Sequence, residues 1–351
     1  MSTAARYLSR LLFLYFGFVL LALVTLALGL DLLENARDVA GSERTAALAW
    51  YGFLRLPAIL SQLNPIAALL GALLAIDAIR RHRELVALWS AGVALWRLMY
   101  MLIPLALLLS FGQFVIDDRL VPPSTAELRD WGVGPYERQT SAQTGEPFAW
   151  LLSGPHVVRL SASAAVEGRI QDITIFRRNE EGILLERLDA RSARRETTNW
   201  VLVDVIKRDA ANAQPQHVAE LHWRDPIPLD VLRLATIEPK ELPINIIESV
   251  VSNRGYGQLS VDLYQTWFHH RIAGTLSPAI MIFLALSLAK GTGRRQGTGR
   301  LLISGLAIGF AFFIYDGIVL SIGEAGWLPP WLAAWSPKIV MMCIVALLAL
   351  K

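Results

Sequence analysis

Long stretches without charge constrain this chain more than any other feature of its sequence. Leu11–Leu30 is a run of about 20 residues that contains no charged side chain. A helix of that length spans the roughly 30 Å of hydrocarbon in a bilayer, and the run is too long for a cleaved signal peptide. Five further apolar runs bring the predicted number of transmembrane helices to six: Leu56–Ile79, Val93–Ile116, Ile272–Ala289, Leu301–Gly323 and Trp331–Leu350.

The composition agrees with a membrane protein. Charged residues make up 18% of the chain, against about 25% in soluble domains. The single cysteine, Cys343, excludes a disulfide framework or a cysteine-based zinc site within one chain. We expect Cys343 to be a small buried residue of the last apolar run.

Lysine and arginine residues predict the orientation of the six helices. When the spans are threaded, the following basic residues fall on one side: Arg6, Arg10, Arg80, Arg81, Arg83, Lys290, Arg294, Arg295, Arg300 and Lys351. By the positive-inside rule that side is the cytoplasm, so both termini are predicted to be cytoplasmic. The predicted organisation is residues 1–116 for helices 1–3, residues 117–271 for a domain outside the membrane, and residues 272–351 for helices 4–6.

The domain at 117–271 has the pattern of an all-β fold. Short segments with β-branched or aromatic residues are punctuated by turn residues such as Gly154-Pro155. The predicted strands are Phe148–Leu152, His156–Leu160, Ile170–Arg177, Ile183–Leu188, Trp200–Lys207 and Val218–Trp223. Evenly spaced short strands predict a β-sandwich or jelly roll.

Arg80–Gly92 lies between the second and third apolar runs and is too charged to enter lipid. Leu85, Leu88 and Trp89 share one face of a short amphipathic helix. Glu84 stands at its start, where a carboxylate suits the positive end of the helix dipole. We interpret the segment as a surface helix that offers a carboxylate and an apolar face to a soluble cytoplasmic partner. An ordinary positive-inside loop is the alternative that this segment alone leaves open.

The sequence lacks the motifs of an enzyme. The glycine-rich segment 291–300 has no GK[ST] to hold a nucleotide, and neither HExxH nor GxSxG occurs in the chain. We therefore predict no catalytic activity, no cofactor and no resident metal. Spacing alone leaves a dispersed catalytic triad in the outer domain open.

Asp316 is the one charge that we place deep within a predicted span. Intramembrane charges usually face a bundle interior or a water-filled cavity. We favour a structural partner on another span, with a place in a proton path as the alternative.

Several stretches of the sequence resemble those of a known family. They are Leu56-Pro57 with Asn64–Leu74 in the second span, Arg83–Val86 leading to Ser90–Gly92, Leu276–Pro278, and Gly309-Phe310 with Phe313 and Asp316. The whole chain, with three spans, a β-domain and three spans, resembles the LptF/LptG permeases of the lipopolysaccharide export transporter. The stretch around Asp316 looks more like the G-type than the F-type subunit.

The resemblance implies a permease in the bacterial inner membrane with a periplasmic jelly roll. It implies a heterodimer with an F-type subunit, a dimeric cytoplasmic ABC ATPase, a periplasmic bridge protein, and lipopolysaccharide as the cargo. The segment matching the family's coupling helix would contact the ATPase through Arg83, Glu84, Leu85, Leu88 and Trp89.

The sequence departs from the family after the first span. Family members can carry lysines there that meet the phosphates of the lipid. In this chain Asp31–Asp38 contains only Arg37 as a basic residue. We therefore predict Arg37, Arg44 and Arg55 as substitutes, since arginine binds phosphate through two parallel hydrogen bonds.

Two other functions are compatible with parts of this pattern. A mechanotransmitter of the cell envelope would use the same coupling segment without carrying lipid. A membrane-anchored enzyme would need its site in the outer domain, where no catalytic motif occurs.

Overall fold

The computed structural model describes residues 3–39, 44–81, 95–133, 148–153, 156–161, 169–179, 182–196, 199–210, 214–223, 238–252, 260–291 and 298–350. The chain divides into two compact units, which are described separately. The membrane unit comprises Met1–Glu137 and Thr266–Lys351, and the outer unit comprises Arg138–Gln265.

The helices follow the predicted apolar runs and extend beyond several of them. They are α1 Thr3–Val39, α2 Arg44–Arg81, α3 Leu95–Val115, α4 Val121–Trp131, α5 Ile244–Ser252, α6 Val261–Gly274, α7 Ser277–Gly291, α8 Thr298–Glu324 and α9 Pro330–Leu350. A π-helical segment, Ile116–Leu120, joins α3 to α4, and a 3-10 turn, Pro239–Glu241, precedes α5.

Among the described residues, five helices are long and apolar enough to cross a membrane. The pair α6 and α7, which is bent by 48°, makes a sixth candidate if it counts as one span. The prediction of a polytopic helical membrane protein is confirmed. The number of six spans and their orientation stay predictions.

The first two helices are longer than a bilayer requires. Because α1 has 37 residues and α2 has 38, each is about 55 Å long at 1.5 Å per residue. Their connected ends pack with α4 in a buried apolar cluster that contains Val39, Tyr51, Leu54, Leu128 and Val133. This hairpin therefore extends past the thickness of the hydrocarbon layer.

The outer unit contains an antiparallel sheet of six strands in chain order. The strands are β1 Phe148–Ser153, β2 His156–Ser161, β3 Arg169–Arg178, β4 Leu184–Glu196, β5 Asn199–Asp209 and β6 Gln216–Trp223. The predicted β-structure of this unit is confirmed, and its strands are antiparallel. In the described strands each pairs with the next one along the chain, so the second layer and crossed connections of a jelly roll stay a prediction.

The fourth strand differs most from its prediction. The sequence predicts Ile183–Leu188, whereas β4 continues to Glu196 through the charged stretch around Arg191. Arg191 has 81% of its side chain exposed, while Ala190 and Ala193 are buried. The strand thus keeps small apolar residues on its buried side and charges in solvent, a pattern that a search for β-branched residues overlooks.

A change of alternation keeps the apolar residues on one side of the sheet. Ile173 and Ile170 both lie in the buried cluster, although they are three residues apart and regular alternation would place them on opposite faces. Between them Asp172 has a φ of 53°, and on β5 Asp204 has a φ of 58°. These left-handed residues shift the phase of the alternation on their strands.

The membrane core differs from its prediction at one residue of the last helix. Cys343 was expected to be buried, but it is exposed on α9. Residues of α9 such as Ala334 and Met341 face the core instead. Because a lipid-facing side chain is also apolar, the sequence alone does not distinguish the two faces.

Candidate functional site: the membrane unit and its charges

Small residues allow α2 to approach two neighbouring helices closely. A side chain added at Gly71 of α2 would meet the Phe16 backbone of α1 at 2.6 Å. On α8, Gly305 lies against Leu73 and Gly309 lies against Leu69, both on α2. Helices that pack without a hydrophobic driving force depend on such close contacts. The helix α1 therefore packs on α2 through its backbone, and α8 packs on α2 through glycines that make room for leucine side chains.

Both of these neighbours present broad apolar faces that the described part of the chain leaves uncovered. Phe18 and Leu21 of α1 are among the most exposed side chains of the membrane unit, as are Ile303 and Phe310 of α8. In a membrane such faces contact acyl chains or another helical subunit. This surface has the chemistry required to hold the apolar part of a lipid.

The predicted phosphate ligands lie on the α1–α2 hairpin. Arg37 belongs to α1 and Arg44 is the first residue of α2, but their side chains lie outside the described part of the structure. Arg55 forms an ion pair with Asp31, in which Nη2 lies 2.6 Å from Oδ1. Its Nε also donates to Oδ1 at 3.2 Å and to Oδ2 at 3.1 Å. The Arg55 guanidinium is therefore already bound by the Asp31 carboxylate of the same chain.

The predicted ATPase contacts lie outside the described residues. Arg83, Glu84, Leu85, Leu88 and Trp89 fall in the interval 82–94 between α2 and α3. The described structure ends on this side at Arg81, whose Nε donates to Asp77 Oδ2 at 2.8 Å. The coupling helix therefore stays a prediction.

Asp316 has a partner on another helix, but the sequence analysis did not identify which residue it is. Lys338 Nζ of α9 lies 2.5 Å from Asp316 Oδ1 of α8, and 1% of the lysine side chain is exposed. The ammonium also lies 5.7 Å from the ring centroid of Phe312. Asp316 is thus not the one charge within a predicted span. A scan of Trp331–Leu350 for single charges would have found Lys338.

Polar residues also meet the end of α8. Trp267 Nε1 of α6 donates to Glu324 Oε1 at 2.8 Å. His270, one turn further along α6, packs edge-on against the Trp267 ring at a centroid distance of 5.3 Å. Within the described residues no group of three or more histidine, cysteine or carboxylate side chains is placed to hold a metal ion.

These features place the chain in the class of polytopic membrane proteins that carry an antiparallel β-domain between two sets of apolar helices. The chain belongs to the lipopolysaccharide export system permease LptF/LptG family, whose model matches residues 6–351. The family prediction made from the sequence is confirmed.

Individual relatives agree with the G-type assignment. The chain is 24% identical to the lipopolysaccharide export system permease protein LptG of Haemophilus influenzae, with 98% of this chain and 97% of that protein covered. It is 23% identical to the protein of the same name from Escherichia coli strain K12, with 95% and 94% covered. Both similarities extend over nearly the full length of each chain.

Proposed function

We propose that this chain is the G-type permease subunit of a transporter that extracts lipopolysaccharide from the bacterial inner membrane. The observation that carries the proposal is the family match across residues 6–351. The exposed apolar faces of α1 and α8 support it, because a permease must offer acyl chains a surface within the bilayer.

In this proposal α6 and α7 form one bent span, so the chain crosses the membrane six times with both termini in the cytoplasm. The six-stranded sheet belongs to a periplasmic jelly roll that receives the lipid and passes it to a bridge protein. An F-type permease completes the cavity, which is lined on this chain by α1, α2 and α8.

The power comes from a separate dimeric ATPase in the cytoplasm. The sequence contains no nucleotide-binding loop, so the ATPase must act through a cytoplasmic surface of the permease. The 80–92 segment begins within the last turn of α2 and contains Glu84, and α2 is the helix on which α1 and α8 pack. A displacement of this segment therefore reaches both walls of the proposed cavity.

The lipid phosphates meet the outer end of the α1–α2 hairpin. Arg37 and Arg44 are the proposed direct ligands. A phosphate at Arg55 would have to compete with Asp31, which already makes bidentate contacts to its guanidinium. Arg55 is therefore proposed as the weakest of the three phosphate contacts.

The coupling function is tested by Glu84→Ala in the full complex with its ATPase. We expect loss of lipopolysaccharide release and weaker co-purification of the ATPase, since the carboxylate no longer reaches its partner. Glu248→Ala, which removes an exposed carboxylate from α5 of the outer unit, is the matched control. Normal export by Glu84→Ala would contradict the proposal.

Binding of lipid cargo distinguishes the export function from the mechanotransmitter alternative. Photo-crosslinking groups placed at Phe18 and Phe310 should capture lipopolysaccharide in membranes if the exposed faces line a lipid path. An active complex that captures no lipopolysaccharide at either position would favour a transmitter that carries no lipid.

A further inference from the structure

A polar cluster in the membrane unit connects α2 to the segments that lead to and from the outer domain. Pro65, within α2, has no backbone N–H and therefore leaves the carbonyl of Ser61 without its usual helical donor. Gln113 of α3 supplies a donor instead, with its Nε2 lying 3.2 Å from Ser61 O. A gap in the hydrogen bonding of one helix is thus filled by a side chain of another.

Gln113 also joins the cluster through its other contacts. Its Oε1 accepts a hydrogen bond from Asn64 Nδ2 at 2.6 Å, and its Nε2 lies 2.9 Å from Asp117 Oδ2. Both Gln113 and Asn64 are 4% exposed. A buried amide with its oxygen and nitrogen both engaged fixes the two helices in one arrangement.

Asp117 extends the cluster to α6. Its Oδ1 accepts a hydrogen bond from Ser61 Oγ at 2.5 Å, and its backbone carbonyl accepts one from Arg271 Nη1. Arg271 is 5% exposed. Asp117 lies in the π-helical segment after α3, a local irregularity often found at functional positions.

The order of these elements along the chain gives the cluster its significance. The chain reaches residues 138–265 through the π-helical segment and α4, and it returns through α6. Asp117 of the π-helical segment is bonded directly to Ser61 of α2, and α6 is bonded through Arg271 to the backbone of the same Asp117. The helix α2 ends at Arg81, within the predicted coupling segment. We propose that Ser61, Gln113, Asp117 and Arg271 form the joint through which movement of α2 reaches both connections of the outer domain.

This inference rests on the proposed function in one respect, that an ATPase moves α2 at its cytoplasmic end. The four residues are positioning residues, because they act through the helices and contact neither ATP nor lipid. If the cluster has a purely structural role, disrupting it should lower stability and nothing else. If it is a joint, disrupting it should leave ATP hydrolysis intact and abolish movement of the outer domain.

A double variant separates these two roles. Pro65→Ala restores a backbone N–H opposite Ser61 O, so that carbonyl no longer requires Gln113. Gln113→Met then removes the amide that links the helices while preserving most of the volume of the side chain. Ser110→Ala, one turn earlier on α3, removes a buried hydroxyl with no hydrogen-bond partner among the described residues and is the matched control.

The readout is a distance between spin labels in the full complex with cysteine-free partner subunits. One label is attached to Cys343, the chain's single cysteine, which is exposed on α9. The other is attached after Glu248→Cys on α5. We expect ATP to change the distance distribution in the otherwise wild-type chain and in Ser110→Ala. In Pro65→Ala/Gln113→Met we expect the ATP-dependent change to be lost while ATP hydrolysis continues.

If ATP changes the distance distribution of the double variant as much as that of the wild type, the proposed joint is overturned. If that variant fails to assemble, Ser61→Ala is measured instead, and a full distance change in it would equally overturn the proposal. Failure of the proposed export function has a different signature, because the wild-type complex would then hydrolyse ATP and move its outer domain without releasing lipopolysaccharide.

Discussion

Two ion pairs of the molecule have the same contact distance, but their lysines differ in exposure to solvent. Lys338 Nζ lies 2.5 Å from Asp316 Oδ1 in the membrane unit, and Lys207 Nζ lies 2.5 Å from Glu186 Oε2 in the outer unit. Lys338 is 1% exposed, whereas Lys207 is 33% exposed. Contact distance alone therefore says little about what either pair contributes.

The outer pair has water and a second cation to replace lost contacts. Arg177 Nη1 also donates to Glu186 Oε1, at 2.7 Å. Burial opposes ionisation of Glu186, but the hydrogen bonds from Lys207 and Arg177 outweigh it and lower the pKa of the carboxyl below its ordinary value. Removing the Glu186 carboxylate leaves Lys207 and Arg177, whose side chains are 33% and 50% exposed, so water can still solvate both charges.

The membrane pair lacks this replacement. A charge left alone between α8 and α9 would face apolar side chains and lipid, where the desolvation penalty is several kcal/mol. The comparison teaches that the pair at Asp316 matters chiefly through what its breakage exposes. Removing one charge of the pair should therefore destabilise the protein much more than removing both.

The largest effect is expected for Lys338→Met, which leaves Asp316 uncompensated. Breaking a buried pair on one side typically destabilises a protein by about 3–5 kcal/mol. Thermal unfolding of the chain in nanodiscs should show a markedly lower midpoint. Asp316→Asn combined with Lys338→Met should recover most of that loss, and a double variant as unstable as the single one would refute this account of the pair.

A smaller effect is expected for Glu186→Gln in the outer unit. Partly exposed pairs contribute about 0.2–1 kcal/mol, so amide hydrogens of β4 and β5 should exchange only a few times faster than in the wild type at pH 7. Because the folded-state pKa of Glu186 is lowered, its stabilisation is fully present above the unfolded pKa of about 4.3 and is lost as the pH falls through the folded pKa. The difference between the two proteins should vanish in acid. A difference that persists there would show that the carboxylate charge is not its cause.

The smallest of the three effects is expected for the Arg191–Asp204 pair, which is more exposed than the other two pairs. Arg191 Nη2 lies 3.1 Å from Asp204 Oδ2, with 81% of the arginine and 37% of the aspartate side chain exposed. Arg191→Ala should change the free energy of unfolding by less than about 0.5 kcal/mol. Hydrogen exchange of β4 and β5 provides the measurement, and a change as large as that of Glu186→Gln would break the proposed order by exposure.

The sequence predicts the parts of this structure that depend on local patterns. Apolar runs predict the long helices, and β-branched segments such as Ile170–Arg177 predict the strands. The extension of β4 was missed because its buried side carries alanines. Lys338 was missed because one charge in a run of about 20 residues barely alters its apolar character.

Interactions between distant residues had no local signal. Asn64 and Gln113 are 49 positions apart, and Arg271 and Asp117 are 154 positions apart. Taken alone, Gln113, Asp117 and Arg271 are isolated polar residues at the ends of apolar runs, and Asn64 is an isolated polar residue within such a run. Only the packing of α2 with the segments after α3 and before α7 brings them together, so one sequence could not reveal the cluster.

The contact between Gln113 and the Ser61 carbonyl has an evolutionary consequence. A homologue that gains an N–H at position 65 no longer needs a donor at position 113, and one that retains proline there must keep a donor within reach. Substitutions at 65 and 113 should therefore arise together in the family's history. Combining Pro65 with a residue that has no donor at position 113 should produce chains that fold less well than both parents.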